Sequence, residues 1–250
     1  MDLKNKVVLI TGTSTGIGRA AALAFAKKGA KLALVSRNKE KNNQLMGEIH
    51  ASGGTSIFIP TDVSDLGNVK HAIAETLNRY GRLDIAINNA GIEGTPRVKA
   101  ADYDIEVWDR LMDVNLKGVW LCIKYQLQTM MQNGGGRIIN ISSLAGLRGG
   151  DAGVAYHASK FGVIGLTKTI ALEYADKNIR VNAICPAVIE TPMAERAFSD
   201  PVRMKDAINM HPVGRFGRVN EVVGAIMWLA SSDADFITGA AIPVDGGAGV

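Results

Sequence analysis

Tyr156 and Lys160 stand four residues apart in a run, residues 155–172, that reads as one helix, so the phenol and the ammonium leave the same face. An unperturbed tyrosine ionises near pH 10, and a lysine charge about 4 Å away at an effective dielectric of about 20 is worth roughly 4 kcal/mol. That is enough to draw the phenol toward working pH unless burial cancels it, and such a tyrosine can pass a proton to or from a substrate oxygen. Tyr80, Tyr103, Tyr125 and Tyr174 have Asp84, Val107, Thr129 and Asn178 at the same offset, so the pairing occurs once. One such pair can arise by chance, and its surroundings decide what it means.

A second constellation lies near the N-terminus. Residues 11–18 read Thr-Gly-Thr-Ser-Thr-Gly-Ile-Gly, directly after an apolar run and at the head of a helical pattern. Gly12, Gly16 and Gly18, with Thr15 and Ile17 between them, let the backbone turn tightly and approach a pyrophosphate, whose charge the free NH groups of a helix start favour. The order G-x-x-x-G-x-G differs from the common G-x-G-x-x-G fingerprint. It also lacks the Gly-Lys-Ser/Thr ending of a triphosphate loop, which disfavours nucleoside triphosphates. A site for NAD usually places an acid about 20 residues past the glycines. Here the second strand ends in Ser36, Arg37 and Asn38, with no carboxylate before Glu40. A planar cation beside a small hydroxyl suits a 2′-phosphate, so NADP (NADPH) is favoured, with NAD the alternative.

These residues need a scaffold. Residues 6–10, 31–35, 55–59, 83–87, 136–141, 180–184 and 241–244 read as strands, and 18–28, 39–52, 66–80, 107–132, 155–175 and 220–230 as helices. Their alternation predicts an α/β, Rossmann-like, doubly wound fold: a seven-stranded parallel sheet with helices on both faces. With 250 residues, 47% hydrophobic content and 28 glycines, the chain is expected to form a single domain over 1–250. Residues 190–218 form its one long irregular stretch and look like a substrate lid.

The formal charge of +4 is small, its basic residues are dispersed and no nucleic-acid motif appears, so no nucleic-acid partner is expected. Residues 1–6 lead straight into the apolar run 7–10, which is too short for a signal core or a membrane span. A soluble, cytoplasmic protein with no membrane association is expected. Cys122 and Cys185 read as reduced, buried thiols. His50, His71, His157 and His211 show no ligand spacing, so no metal is expected and each reads as a surface or packing histidine.

The residues together resemble the short-chain dehydrogenase/reductases, in the T-G-x-x-x-G-x-G run and the Y-x-x-x-K pair. Further matches follow in that family's order: Asn88, Asn89, Ala90 and Gly91 after the fourth strand, then Asn115, Ser142 and Ser143, Tyr156 and Lys160, and Pro186. The spacing from Ser143 to Tyr156 favours Ser143 over Ser142 as the family's catalytic serine, leaving Ser142 structural. The resemblance implies hydride transfer between a nicotinamide ring and an alcohol or ketone carbon, with Asn115, Ser143, Tyr156 and Lys160 catalytic. Ser143 would hold the substrate oxygen, Lys160 the nicotinamide ribose and Asn115 a water. It also implies that Asp62 and Val63 contact the adenine, that Asn89, Ala90 and Gly91 flank the cofactor, and that Pro186, Ile189 and Thr191 surround the nicotinamide. Ala187 departs from the family's P-G-x-x-x-T pattern.

Glu93, Gly94, Leu144, Ala145, Leu147, Arg148, Val188, Met193, Phe198, Met204 and Met210 are pocket candidates, mostly apolar, and suggest a hydrophobic ketone or secondary alcohol as the small-molecule partner. Two rivals stand beside this reading: an extended sugar-nucleotide epimerase or dehydratase, which normally carries a further C-terminal region, and a catalytically silent nucleotide-binding protein. The resemblance further implies a homotetramer built on the helices at 107–132 and 155–175 and on the C-terminal sheet edge.

Overall fold

The computed structural model describes residues 3–250, so the first two residues of the predicted domain and N-terminal stretch lie outside them. Seven strands form one parallel sheet: β1 (Val7–Thr11), β2 (Lys31–Ser36), β3 (Thr55–Pro60), β4 (Ile85–Asn88), β5 (Gly136–Ile141), β6 (Ile179–Pro186) and β7 (Ala241–Val244), in the order β3-β2-β1-β4-β5-β6-β7. Central strands such as β1 are buried along their whole length, as expected where helices cover both faces. Pro243 falls on the edge strand β7, where a missing N–H costs least. The order reverses between β1 and β4, which opens a crevice at the carboxyl ends of the strands.

Alternate residues of each strand feed two cores. Val8 and Ile10 pack with α1 (Gly16–Lys27) and with Leu45 and Ile49 of α2 (Lys39–Ala51). Val7 and Leu9 face α3 (Leu66–Tyr80), where Ala72 and Ile73 meet them.

The expected helix over 107–132 is interrupted. α4 (Ile105–Met112) passes into one wider π turn, Asp113–Lys117, before α5 (Gly118–Gln132) continues, and Asn115 sits in the middle of that turn. α6 (Val154–Tyr174) carries Tyr156 and Lys160 and packs Val163 and Ile170 against the sheet.

The stretch at 190–218 is more ordered than the sequence suggested. It holds α7 (Pro192–Ala197) and α8 (Pro201–Asn209), and α9 (Val219–Leu229) follows. Thr191 caps α7 through Ala194 N, and Asp200 caps α8 through Arg203 N, each followed by proline at the first helical position. Among the described residues no helix is long and apolar enough to cross a membrane. Cys122 and Cys185 are buried free thiols.

Candidate active site

The glycine turn explains its own composition. Gly12 (φ 73°) and Gly16 (φ 57°) adopt the left-handed conformation, and a Cβ on Gly18 would collide with the Gly12 carbonyl oxygen and the Asn89 side chain. A Cβ on Gly16 would come 3.2 Å from Thr191. Thr11 Oγ1 accepts from the N–H groups of Asn89 and Ala90, and Asn89 Nδ2 donates to the Thr11 and Gly12 carbonyls, so the ends of β1 and β4 are tied into one floor.

A cleft of about 520 Å³ opens beside that floor. Ser143, Tyr156 and Lys160 line it, together with Ile17, Asn89, Gly91, Pro186, Ile189 and Thr191. Ser143 begins the turn after β5, accepts from Ala145 N at 3.1 Å and reaches toward the Pro186 carbonyl. Ser142 donates to the Lys160 carbonyl at 2.9 Å, the structural part expected of it.

Lys160 is buried. Its Nζ donates to the Ile141 carbonyl at 3.0 Å and lies 5.5 Å from the centroid of the Tyr156 ring. Burial pulls the ammonium down to about 8, opposed in part by Cys185. Burial likewise raises the Tyr156 phenol; hydrogen bonding with Ser143 pulls it back, and the Glu93 charge raises it again. In the protein alone, therefore, burial outweighs the lowering expected from the lysine, whose Nζ donates to the Ile141 carbonyl and stands over the ring.

Asn115 is buried behind the cleft. Its Oδ1 accepts from Ile92 N at 2.8 Å and its Nδ2 donates to Ile92 O at 2.9 Å. A Cβ on Gly91 would stand 3.3 Å from Asn115 Oδ1 and 3.8 Å from Lys160 Nζ, so Gly91 is the spacer at which these groups converge.

The remaining predicted residues follow the strand ends away from the cleft. Ser36 is buried and its Oγ accepts from Asn42 Nδ2, while Asn42 Oδ1 accepts from Thr13. Arg37 is exposed and lies 3.7 Å from Asp62. Partial burial works against the Asp62 charge, but hydrogen bonds from Ser64 and the charges of Arg37 and Arg110 outweigh it and hold the carboxyl below its usual range. Val63 packs with Val69, Val114, Leu121 and Cys122, turning its side chain into the interior. Ala187 tolerates its methyl group without strain, because it has no positive φ and donates its N–H to the Val244 carbonyl.

Of the pocket candidates, Glu93, Gly94, Leu144, Ala145, Arg148, Val188, Met193, Phe198 and Met210 line the cleft, whereas Leu147 and Met204 are exposed outside it. Two histidines read as surface or packing residues also line it. His157 Nδ1 lies 2.9 Å from Ala145 O and 3.0 Å from Arg148 O. His211 is buried, with Nδ1 at 2.7 Å from Ala207 O and Nε2 accepting from Val188 N at 3.3 Å, which ties the end of α8 to the loop after β6. A buried network also went unread: Asn88 exchanges hydrogen bonds with Gln126 and donates to Asn140, which donates to Thr167. Polar residues inside otherwise apolar runs were its signal.

A family model described as enoyl-(acyl carrier protein) reductase matches residues 12–249. The chain is 39% identical to the 3-oxoacyl-(acyl-carrier-protein) reductase FabG of Thermotoga maritima over 251 residues, covering 99% of each. The crystal structure of levodione reductase superposes with a TM-score of 0.95 at 34% identity, covering 98% of both chains. A substituted actinorhodin polyketide ketoreductase, solved with NADPH, superposes with a TM-score of 0.93 at 32% identity, covering 98% of this chain and 97% of that one.

Proposed function

The chain belongs to the short-chain dehydrogenase/reductase family of oxidoreductases, and from that premise we propose that it transfers hydride between NADP(H) and a ketone or secondary alcohol, with Tyr156 as general acid and base. The observation that carries this reading is the convergence of Ser143, Tyr156 and Lys160 on one cleft beside the glycine turn.

The residues fit a pyridine dinucleotide. The turn of Gly12, Gly16 and Gly18 leaves a cradle that side chains would fill, and Lys160 Nζ spends one of its three N–H bonds on Ile141, which leaves two for ribose hydroxyls. When bound, the dinucleotide supplies or takes the hydride. In the reducing direction Tyr156 gives its proton to the substrate oxygen, and its raised pKa keeps that proton available at neutral pH. The Ser143 hydroxyl hydrogen-bonds the same oxygen as charge develops on it. Because the Asn115 amide is committed to Ile92, a water relay there would use the backbone of the π turn. Asp62 would meet the adenine through its carboxylate and Val63 through its backbone, its side chain being packed in the interior.

Arg37 at the end of β2, with no acid before Glu40, favours NADP, and a related ketoreductase was solved with NADPH. NAD is the second reading, since Asp62 lies near enough to Arg37 to compete with a phosphate for it. Leu144, Val188, Met193, Phe198 and Met210 favour an apolar carbon skeleton, with 190–218 closing over it. Exposed Trp120 on α5, Phe161 and Leu172 on α6, and Phe236 near the sheet edge support a homotetramer, and the setting proposed is cytoplasmic.

Titration with NADPH and NADH, followed by a panel of ketones monitored by NADPH absorbance, tests the reading. NADPH should bind more tightly and at least one apolar ketone should be reduced. Equal or tighter NADH binding would remove the NADP assignment.

A further inference from the structure

Besides Lys160, four arginines and two carboxylates line the cleft. Arg97 pairs with Asp151 at 3.0 Å, and Arg196 pairs with Glu93 at 2.9 Å. The two acids are thereby used up. Among the described residues, Arg148 and Arg203 have no carboxylate partner, and neither guanidinium makes a hydrogen bond to another group of the chain.

These two cations stand on different elements beside an apolar interior. Arg148 lies in the turn after β5, a few residues past Ser143, and Arg203 lies in α8. His157, the neighbour of Tyr156, donates to the Arg148 carbonyl, which fixes that turn to the helix carrying the proposed acid. Arg97 holds the left-handed conformation (φ 63°), uncommon for a residue with a side chain, and keeps it through backbone and side-chain bonds to Asp151. The pairing of Arg97 with Asp151 is therefore built into the loop rather than improvised in solvent.

We propose that Arg148 and Arg203, which line the same cleft with unpaired guanidinium groups, supply an anion subsite in it, so that the preferred substrate is a ketone or secondary alcohol with an apolar body and a terminal carboxylate or phosphate. This rests on the hydride-transfer reading above. Guanidinium groups match both anions through paired N–H donors, and a cleft with apolar walls and an excess of one charge concentrates the opposite charge at its entrance. The apolar side chains of the same cleft would take the carbon chain, leaving the reacting oxygen at Ser143 and Tyr156.

The test compares 7-oxooctanoate with its methyl ester, and adds 6-oxoheptyl phosphate, by kcat/KM with NADPH and by calorimetric binding to the NADPH-loaded protein. The carboxylate should exceed the ester by about tenfold or more, as charge-assisted bonds are roughly twice as strong as neutral ones. That ratio should fall toward one in Arg148→Gln plus Arg203→Gln, and with rising ionic strength. A phosphate preferred over the carboxylate identifies a phosphate-bearing substrate class; the reverse identifies a carboxylate. Ester and carboxylate handled equally by the native protein, or a carboxylate advantage that survives the double substitution, would overturn the subsite. Loss of turnover on all three probes with the binding preference intact would instead count against hydride transfer alone.

Discussion

Asn115 and Ile92 exchange two hydrogen bonds, 2.8 Å from Ile92 N to Oδ1 and 2.9 Å from Nδ2 to Ile92 O, and so lock the π turn to the loop after β4. Asn115→Leu keeps the branched shape but leaves two part-buried backbone groups unpaired, each costing about 1–3 kcal/mol. Urea unfolding at fixed protein concentration should show a loss of about 2–4 kcal/mol, with turnover falling as well. An unchanged midpoint would show that the turn holds without this pair.

Burial of Lys160 has a pH signature. Its ammonium titrates at about 8 in the folded cofactor-free protein and near 10.5 when unfolded, so between these values the unfolded state binds more protons. This group's penalty is fully present below pH 8 and is relieved as pH rises toward 10.5, so its contribution to stability increases over that window. Lys160→Met should be more stable than the native protein at pH 7, on the order of 3 kcal/mol, with the gap closing by pH 10. Equal stability at pH 7 would mean the ammonium is not desolvated.

Glu93 raises the Tyr156 pKa, and Arg196 partly neutralises Glu93. The basic limb of kcat/KM for ketone reduction, where Tyr156 must still hold its proton, should move to lower pH in Glu93→Gln and to higher pH in Arg196→Gln. Both groups are partly exposed, so both shifts should shrink as salt is added. Shifts in the opposite directions, measured as full pH profiles, would refute the coupling.

Two glycines offer a controlled contrast. Gly18→Ala places a methyl group against the Gly12 carbonyl and Asn89, and should cost about 1–3 kcal/mol and abolish measurable NADPH binding. Gly47→Ala lies on the exposed face of α2 with nothing within 4 Å and should stabilise by about 0.5–1 kcal/mol without affecting binding. Isothermal titration and urea melts on both variants check this.

Periodicity made the sheet legible, because runs such as residues 7–10 are continuously apolar and strands in a parallel sheet are buried on both faces. The π turn around Asn115 was not legible: one wider turn barely disturbs the apolar spacing on either side. α7 and α8 are too short for a periodic signal, and only the Thr191-Pro192 and Asp200-Pro201 steps announce them. Tyr156 and Lys160 were legible as a helical pair, yet the direction of the ammonium was not, since it depends on the Ile141 carbonyl on a distant strand. His157, His211 and the Asn88, Gln126, Asn140 and Thr167 network take their roles from contacts far apart in the chain, which local spacing does not encode.

Turnover of Tyr156→Phe bears most directly on the account. With NADPH and a ketone accepted by the native protein, the variant should lose about 10²–10⁴ in kcat, the usual contribution of a positioned acid, while NADPH affinity and the unfolding midpoint stay close to native values. Reduction at the native rate by a phenylalanine at that position would contradict proton transfer by Tyr156.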